Sequence, residues 1–97
     1  MSRKIKAILF THPTCVGCGE SIRRMQQWAE ERDDLDFEVM SLAGASGHAQ
    51  AARWHIHSVP TIIFDNNPRY HIMGIPSKTT FEQMMETVRA ARTTGGE

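Results

Sequence analysis

Two rhythms of apolar and polar positions alternate along the chain. Ile5-Lys6-Ala7-Ile8-Leu9-Phe10 is a short, mostly apolar run of the kind a buried strand carries. Thr11-His12-Pro13-Thr14 breaks it. From Cys15 to about Arg32 the rhythm is helical. Cys18, Ile22, Met25 and Ala29 recur at steps of three and four, and Glu20, Arg23, Arg24, Gln27 and Glu31 fill much of the remaining surface. After Asp33-Asp34, the residues Leu35, Phe37 and Val39 alternate with Asp36, Glu38 and Met40, which predicts a second strand. Gly44 to Gly47 reads as a loop and Ala49 to about His55 as a short helix. Thr61 to Phe64 predicts a third strand, Asp65-Asn66-Asn67-Pro68 a turn, and Arg69 to Met73 a fourth strand. Ser77 suits a helix N-cap, and Phe81, Met84, Met85 and Val88 give the apolar stripe of a last helix.

The resulting order is βαβαββα, an α/β class domain. The first βαβ unit should be parallel and right-handed, and the last two strands an antiparallel hairpin. Together they predict a mixed four-stranded sheet with helices on both faces. Ninety-seven residues suffice for one domain with a small core. We place it over residues 1–92, with 93–97 as a flexible, small and polar tail.

Charge narrows the partners. Eleven basic and eleven acidic residues give a formal net charge of zero. That argues against nucleic acid and against an anionic membrane surface. No run approaches the ~20 apolar residues of a membrane helix. The basic start is followed by only Ala7-Ile8-Leu9-Phe10, too short for a secretion signal, so a cytoplasmic monomer is expected. Two cysteines are too few for a disulfide-dense secreted scaffold.

Those two cysteines carry the chemistry. Cys15-Val16-Gly17-Cys18 lies where a strand hands over to a helix. Unpaired backbone N–H groups and the positive end of the helix dipole stabilise a thiolate there, and thiolate is the nucleophile of disulfide exchange. Cys18 shares a helix face with Ile22 and Met25 and should be the more buried. Cys15 is then expected to attack a substrate disulfide, and Cys18 to resolve the mixed disulfide. Gly17, lacking a Cβ, should leave the approach surface open. His12, three residues before Cys15, would favour thiolate if protonated; otherwise it is an exposed loop residue. His57, three before Pro60, is a candidate for the rim of the site. The pair also permits a second reading, a copper or zinc carrier, with His12 and a partner chain completing a ligand set. A third keeps the fold for docking a client with slow turnover.

Ser58-Val59-Pro60-Thr61 stands just before the third predicted strand, where proline marks a strand's beginning. From the residues alone, Pro60 is either cis or trans. With this segment the sequence resembles the thioredoxin superfamily. The resemblance rests on three features in order: Cys15-Val16-Gly17-Cys18 behind Ile8-Leu9-Phe10, Trp54 through Val59-Pro60-Thr61, and Gly74-Ile75-Pro76-Ser77-Lys78. They span about residues 5 to 92. The compact start is closer to glutaredoxins and small microbial thioredoxin-like proteins than to full-length thioredoxin.

The resemblance implies that Pro60 is cis and faces the cysteine pair. It implies that the Val59 backbone pairs with an extended substrate peptide, with Thr14 and Pro60 at the same binding surface. It implies Cys15 as nucleophile and Cys18 as resolving thiol, serving protein disulfides as clients. No bound cofactor is expected beyond the redox-active cysteines. The chain has no G-x-G-x-x-G dinucleotide fingerprint, so an external reductase or low-molecular-weight thiol should supply electrons. The sequence also departs from the family. Thr14 stands where thioredoxins carry tryptophan, Val16-Gly17 replaces Gly-Pro, and Leu9 occupies the place of a buried aspartate.

Of the remaining residues, Met25, Met40, Met73, Met84 and Met85 fall on apolar faces or in strands and are expected to fill core. Trp54 is expected to pack beneath the proline loop.

Overall fold

The computed structural model describes residues 4–95. Its elements follow the order read from the sequence: β1 (Ile5–Thr11), α1 (Cys18–Glu31), β2 (Leu35–Ser41), α2 (Ala45–Arg53), β3 (Thr61–Phe64), β4 (Asn67–Met73) and α3 (Lys78–Gly95). The strands form one mixed sheet in the order β2-β1-β3-β4. β1 runs parallel to β2 and antiparallel to β3, and β4 pairs antiparallel with β3. None of the described helices is long and apolar enough to cross a membrane.

Two apolar clusters lie on opposite faces of the sheet. Because side chains alternate along a strand, β1 and β3 feed both. Ile5, Ala7, Leu9, Ile62 and Phe64 pack with Met25 and Trp28 of α1 and with Phe81, Met85 and Val88 of α3. Ile8, Phe10 and Ile63 pack on the other face with Ala51 of α2, joined by Trp54, Ile56 and Val59. Trp28 stacks on Phe81 with ring centroids 4.7 Å apart, and Phe10 meets Trp54 edge-on at 6.0 Å. Such pairs contribute about 0.5–1.5 kcal/mol each beyond their buried area. The second places Trp54 in the cluster that carries Val59, as expected.

Local chemistry sets the junctions. Ser77 caps α3: its Oγ accepts the Thr80 backbone N–H at 3.1 Å. The β3–β4 hairpin turns on Asp65 and Asn66 alone, with φ of 61° and 53°. Two positive φ values suit the type I′ turn that follows strand twist, and Asp and Asn tolerate them. The fourth strand therefore starts at Asn67, not Arg69. Pro68 sits where the β3–β4 register shifts, on an edge strand, so its missing N–H breaks no regular ladder.

Three other boundaries move. α1 begins at Cys18, leaving Cys15 outside the helix. α2 begins at Ala45, so the Gly44–Gly47 loop is corrected: Gly47 is buried inside the helix, and its missing Cβ lets α2 close on Ser41. The α3 backbone runs to Gly95, overlapping the expected tail; residues 96 and 97 lie outside the described residues. Met73 is 65% exposed rather than core: it is the last residue of β4, the edge strand of the sheet.

Candidate active site

The site lies at the carboxyl end of β1, where the Thr11–Gly17 connection enters α1. The Cys15 N–H donates to the His12 carbonyl at 2.9 Å, which closes a tight turn. The Thr14 N–H donates to His12 Nδ1 at 3.2 Å, and the Thr14 hydroxyl lies 2.9 Å from the same nitrogen. That ring nitrogen is thus directed at Thr14, within the turn that precedes Cys15.

Cys15 and Cys18 are joined by a disulfide, with Cα atoms 5.5 Å apart. Cys15 is half-buried and Cys18 is buried, the asymmetry expected from their places before and within α1. Gly17 is the N-cap and makes no side-chain cap hydrogen bond. The first N–H groups of α1 are therefore left without a side-chain acceptor at the end where Cys15 sits. Those donors and the helix dipole favour negative charge on a nearby sulfur.

The Val59–Pro60 peptide bond is cis. Pro60 is buried, and its Cδ lies 3.8 Å from the position a Gly17 Cβ would take, so the proline stands beside the cysteine motif. The Gly74 N–H donates to the Pro60 carbonyl at 2.8 Å. Gly74 has φ of 85°, a left-handed conformation that glycine adopts without a Cβ penalty. Val59 is half-buried on the α2-side cluster. Its backbone N–H and carbonyl make no hydrogen bond with another described residue.

Sequence reasoning missed Ile75. A Cβ on Gly17 would meet Ile75 Cγ1 at 3.1 Å and Cδ1 at 3.2 Å, so the surface above Gly17 is covered, not open. Arg24 holds that loop, donating from Nη1 to the Pro76 carbonyl at 2.8 Å and from Nε to Glu20 at 2.7 Å. Arg23 and Arg24 hydrogen bonds in turn lower the Glu20 pKa. Val16, Ile75 and Met73 are the exposed large apolar residues near this end of the molecule, with Val16 fully exposed. Ile75 enters the sequence pattern only within the Gly74–Lys78 segment, and its contact with Gly17 joins positions far apart in the chain. His57 lines a small cavity with Trp54, Ser58, Thr61, His71 and Met73, next to the Val59–Pro60 segment.

No family model and no curated protein matches this chain. Solved structures do match in shape. A thioredoxin from Fasciola hepatica superposes with a TM-score of 0.73 at 16% identity, covering 88% of this chain and 82% of that one. Thioredoxin O2 from Arabidopsis thaliana, in its oxidised state, gives 0.71 at 15% identity, covering 88% and 75%. A designed protein gives 0.69 at 22% identity, covering 90% and 78%. The element order also separates this chain from βαββαβ metal carriers, which end in a strand. This chain has the thioredoxin fold, with a vicinal cysteine pair at the junction of its first strand and first helix.

Proposed function

We propose that the protein is a small thiol–disulfide oxidoreductase, chiefly reducing protein disulfides by dithiol exchange. The observation that carries this reading is the asymmetric pair: half-buried Cys15 bonded to buried Cys18 at the uncapped start of α1. In the dithiol form the Cys15 thiolate attacks a client disulfide. A Cys15–client disulfide forms, and the other client sulfur leaves and takes a proton. Cys18 then attacks Cys15, the Cys15–Cys18 disulfide forms, and the second client sulfur departs as a thiol.

The client binds as an extended segment beside Val59, whose free backbone groups can add a strand-like pair of hydrogen bonds. Thr14 and Pro60 flank it. His12 acts on Thr14 and the turn before Cys15. Electrons return in trans from a reductase or a low-molecular-weight thiol.

The test is reduction of insulin or dithiobis-nitrobenzoate by the dithiol protein. Cys15→Ser abolishes it on this mechanism. Full activity in that variant removes Cys15 as nucleophile and with it the reading.

A further inference from the structure

Ser21 is fully buried in α1, and its Oγ has no hydrogen-bond partner among the described residues. Burying a hydroxyl without a partner is unfavourable, because its hydration is lost and nothing replaces it. A helical serine commonly escapes that cost by bonding the carbonyl four residues back. Here the Gly17 carbonyl receives the Ser21 backbone N–H at 3.1 Å, and the hydroxyl stays unmatched. By contrast the hydroxyl of Thr61, buried in β3, does find a partner, donating to the Ser58 carbonyl at 2.7 Å.

Ser21 follows Cys18 by three positions, and both are on the buried stripe of α1 with Met25 and Trp28. Residues three apart share a helix face, and every Cα–Cβ bond leans toward the helix N-terminus. The Ser21 side chain therefore leans over the turn that carries Cys18. Leu9 and Ile62 of the sheet–helix core are hydrocarbon, and Met25 on the same helix face offers only a thioether, a weak acceptor that the Ser21 hydroxyl does not reach.

We propose that Ser21 is the positioning residue for the resolving thiol: its hydroxyl gains its partner, Cys18 Sγ, only when the disulfide is reduced. In the disulfide Cys18 has no proton to donate and is a poor acceptor. In the dithiol, Cys18 S–H donates to Ser21 Oγ. As Cys18 loses its proton to solvent and attacks Cys15, the Ser21 O–H turns and donates to the developing thiolate. The Cys18–Cys15 bond forms as the Cys15–client bond breaks, and the departing client sulfur takes up a proton. The hydroxyl thus favours the dithiol over the disulfide and eases ionisation of a thiol buried among hydrocarbon.

This inference rests on the oxidoreductase reading, but its first test needs no client. The dithiol–disulfide equilibrium of the wild type, S21A and S21T is measured against a glutathione redox buffer. S21A is expected to shift the equilibrium about five- to tenfold toward the disulfide, about 20–30 mV more reducing at 29.6 mV per tenfold. S21T, which keeps the hydroxyl, returns toward the wild type. Thermal unfolding of both redox forms is the second measurement: S21A should stabilise the disulfide form relative to the dithiol form. In single-turnover resolution of a mixed disulfide, S21A should move the pH–rate profile to higher pH. An S21A equilibrium within twofold of the wild type, or equal stability changes in the two redox forms, overturns the role and leaves Ser21 as packing. Failure of the wild type to reduce insulin overturns the oxidoreductase reading instead, and leaves the equilibrium measurement standing.

Discussion

Ile75 lies across Gly17, with its Cγ1 at 3.1 Å from where a Gly17 Cβ would be. The contact joins the β4–α3 connection to the cysteine motif, and Arg24 fixes that connection by donating to the Pro76 carbonyl. Gly17 is also the N-cap of α1, with φ of −91°, which alanine can adopt.

The steric relationship predicts coupling between the two positions. In G17A the new methyl must push Ile75, and the half-exposed side chain has room to swing toward solvent. Alanine is also a poorer N-cap than glycine. We expect G17A to cost about 1 kcal/mol of stability, the range of a cap loss or mild overpacking. In an I75A background the steric part disappears, so the same substitution should cost only the cap part. A urea double-mutant cycle checks this, and additive effects contradict the contact.

Gly47 is a harsher case. A Cβ there would lie 2.0 Å from the Ser41 carbonyl oxygen and 2.7 Å from its carbon, both backbone atoms. No rotamer relieves that clash; α2 must lift from the end of β2. G47A should cost about 3 kcal/mol or more, at the top of the overpacking range. Gly19, in the first turn of α1, has nothing within 4 Å of its Cβ position. G19A should therefore be neutral or add up to about 1 kcal/mol through helix propensity. Denaturant midpoints of the two variants should move by clearly different amounts.

Asp34 governs the acid limb of stability. Hydrogen bonds from the Arg32 guanidinium hold its pKa down at about 2, opposed by partial burial and assisted by the charges of Arg32 and Arg89. Arg89 of α3 donates to the same carboxylate, so Asp34 ties the α1–β2 connection to α3. The folded-state pKa lies below the unfolded value near 4, so the unfolded chain binds the proton first. The contribution is complete above about pH 5 and is lost as pH falls through 4 toward 2. Allowing for solvent screening of the partly exposed arginines, it amounts to about 1–2 kcal/mol. D34N should lower stability at pH 7 and flatten the loss between pH 5 and 2. An unchanged acid limb in D34N would assign that limb to other groups.

What the sequence made legible follows from which signals are local. Runs such as Ala7–Phe10 and Thr61–Phe64 are buried on both faces of the sheet, and a mostly apolar run without alternation reports that directly. Ser77 announced its cap because capping is a short-range hydrogen bond. Gly47 misled because glycine reads as loop, while its use here is a close approach between α2 and β2, which no local pattern encodes. Ser21 is polar, yet it stands three after Cys18 and four before Met25, so helical spacing alone could have placed it inside. Ile75 meets Gly17 across fifty-eight positions of chain, and only the folded sheet brings them together. The cysteine pair was legible because its chemistry needs a fixed spacing, and the cis Val59–Pro60 bond only through resemblance.

The unequal exposure of the two cysteines predicts unequal fates for their serine variants. Cys15 is half-buried beside Thr14 and fully exposed Val16, so a client sulfur can reach it. Cys18 is 5% exposed and is shielded from that approach. Without Cys18, the mixed disulfide at Cys15 has no intramolecular attacker, and an effective concentration that external thiols cannot match is lost. Cys18→Ser should therefore accumulate a covalent complex with a disulfide client, visible as a band shift on non-reducing gels and reversed by dithiothreitol. Cys15→Ser should form at least tenfold less, because the remaining thiol is buried. If Cys15→Ser traps client as readily as Cys18→Ser, the order of attack is reversed and Cys18 is the entry thiol.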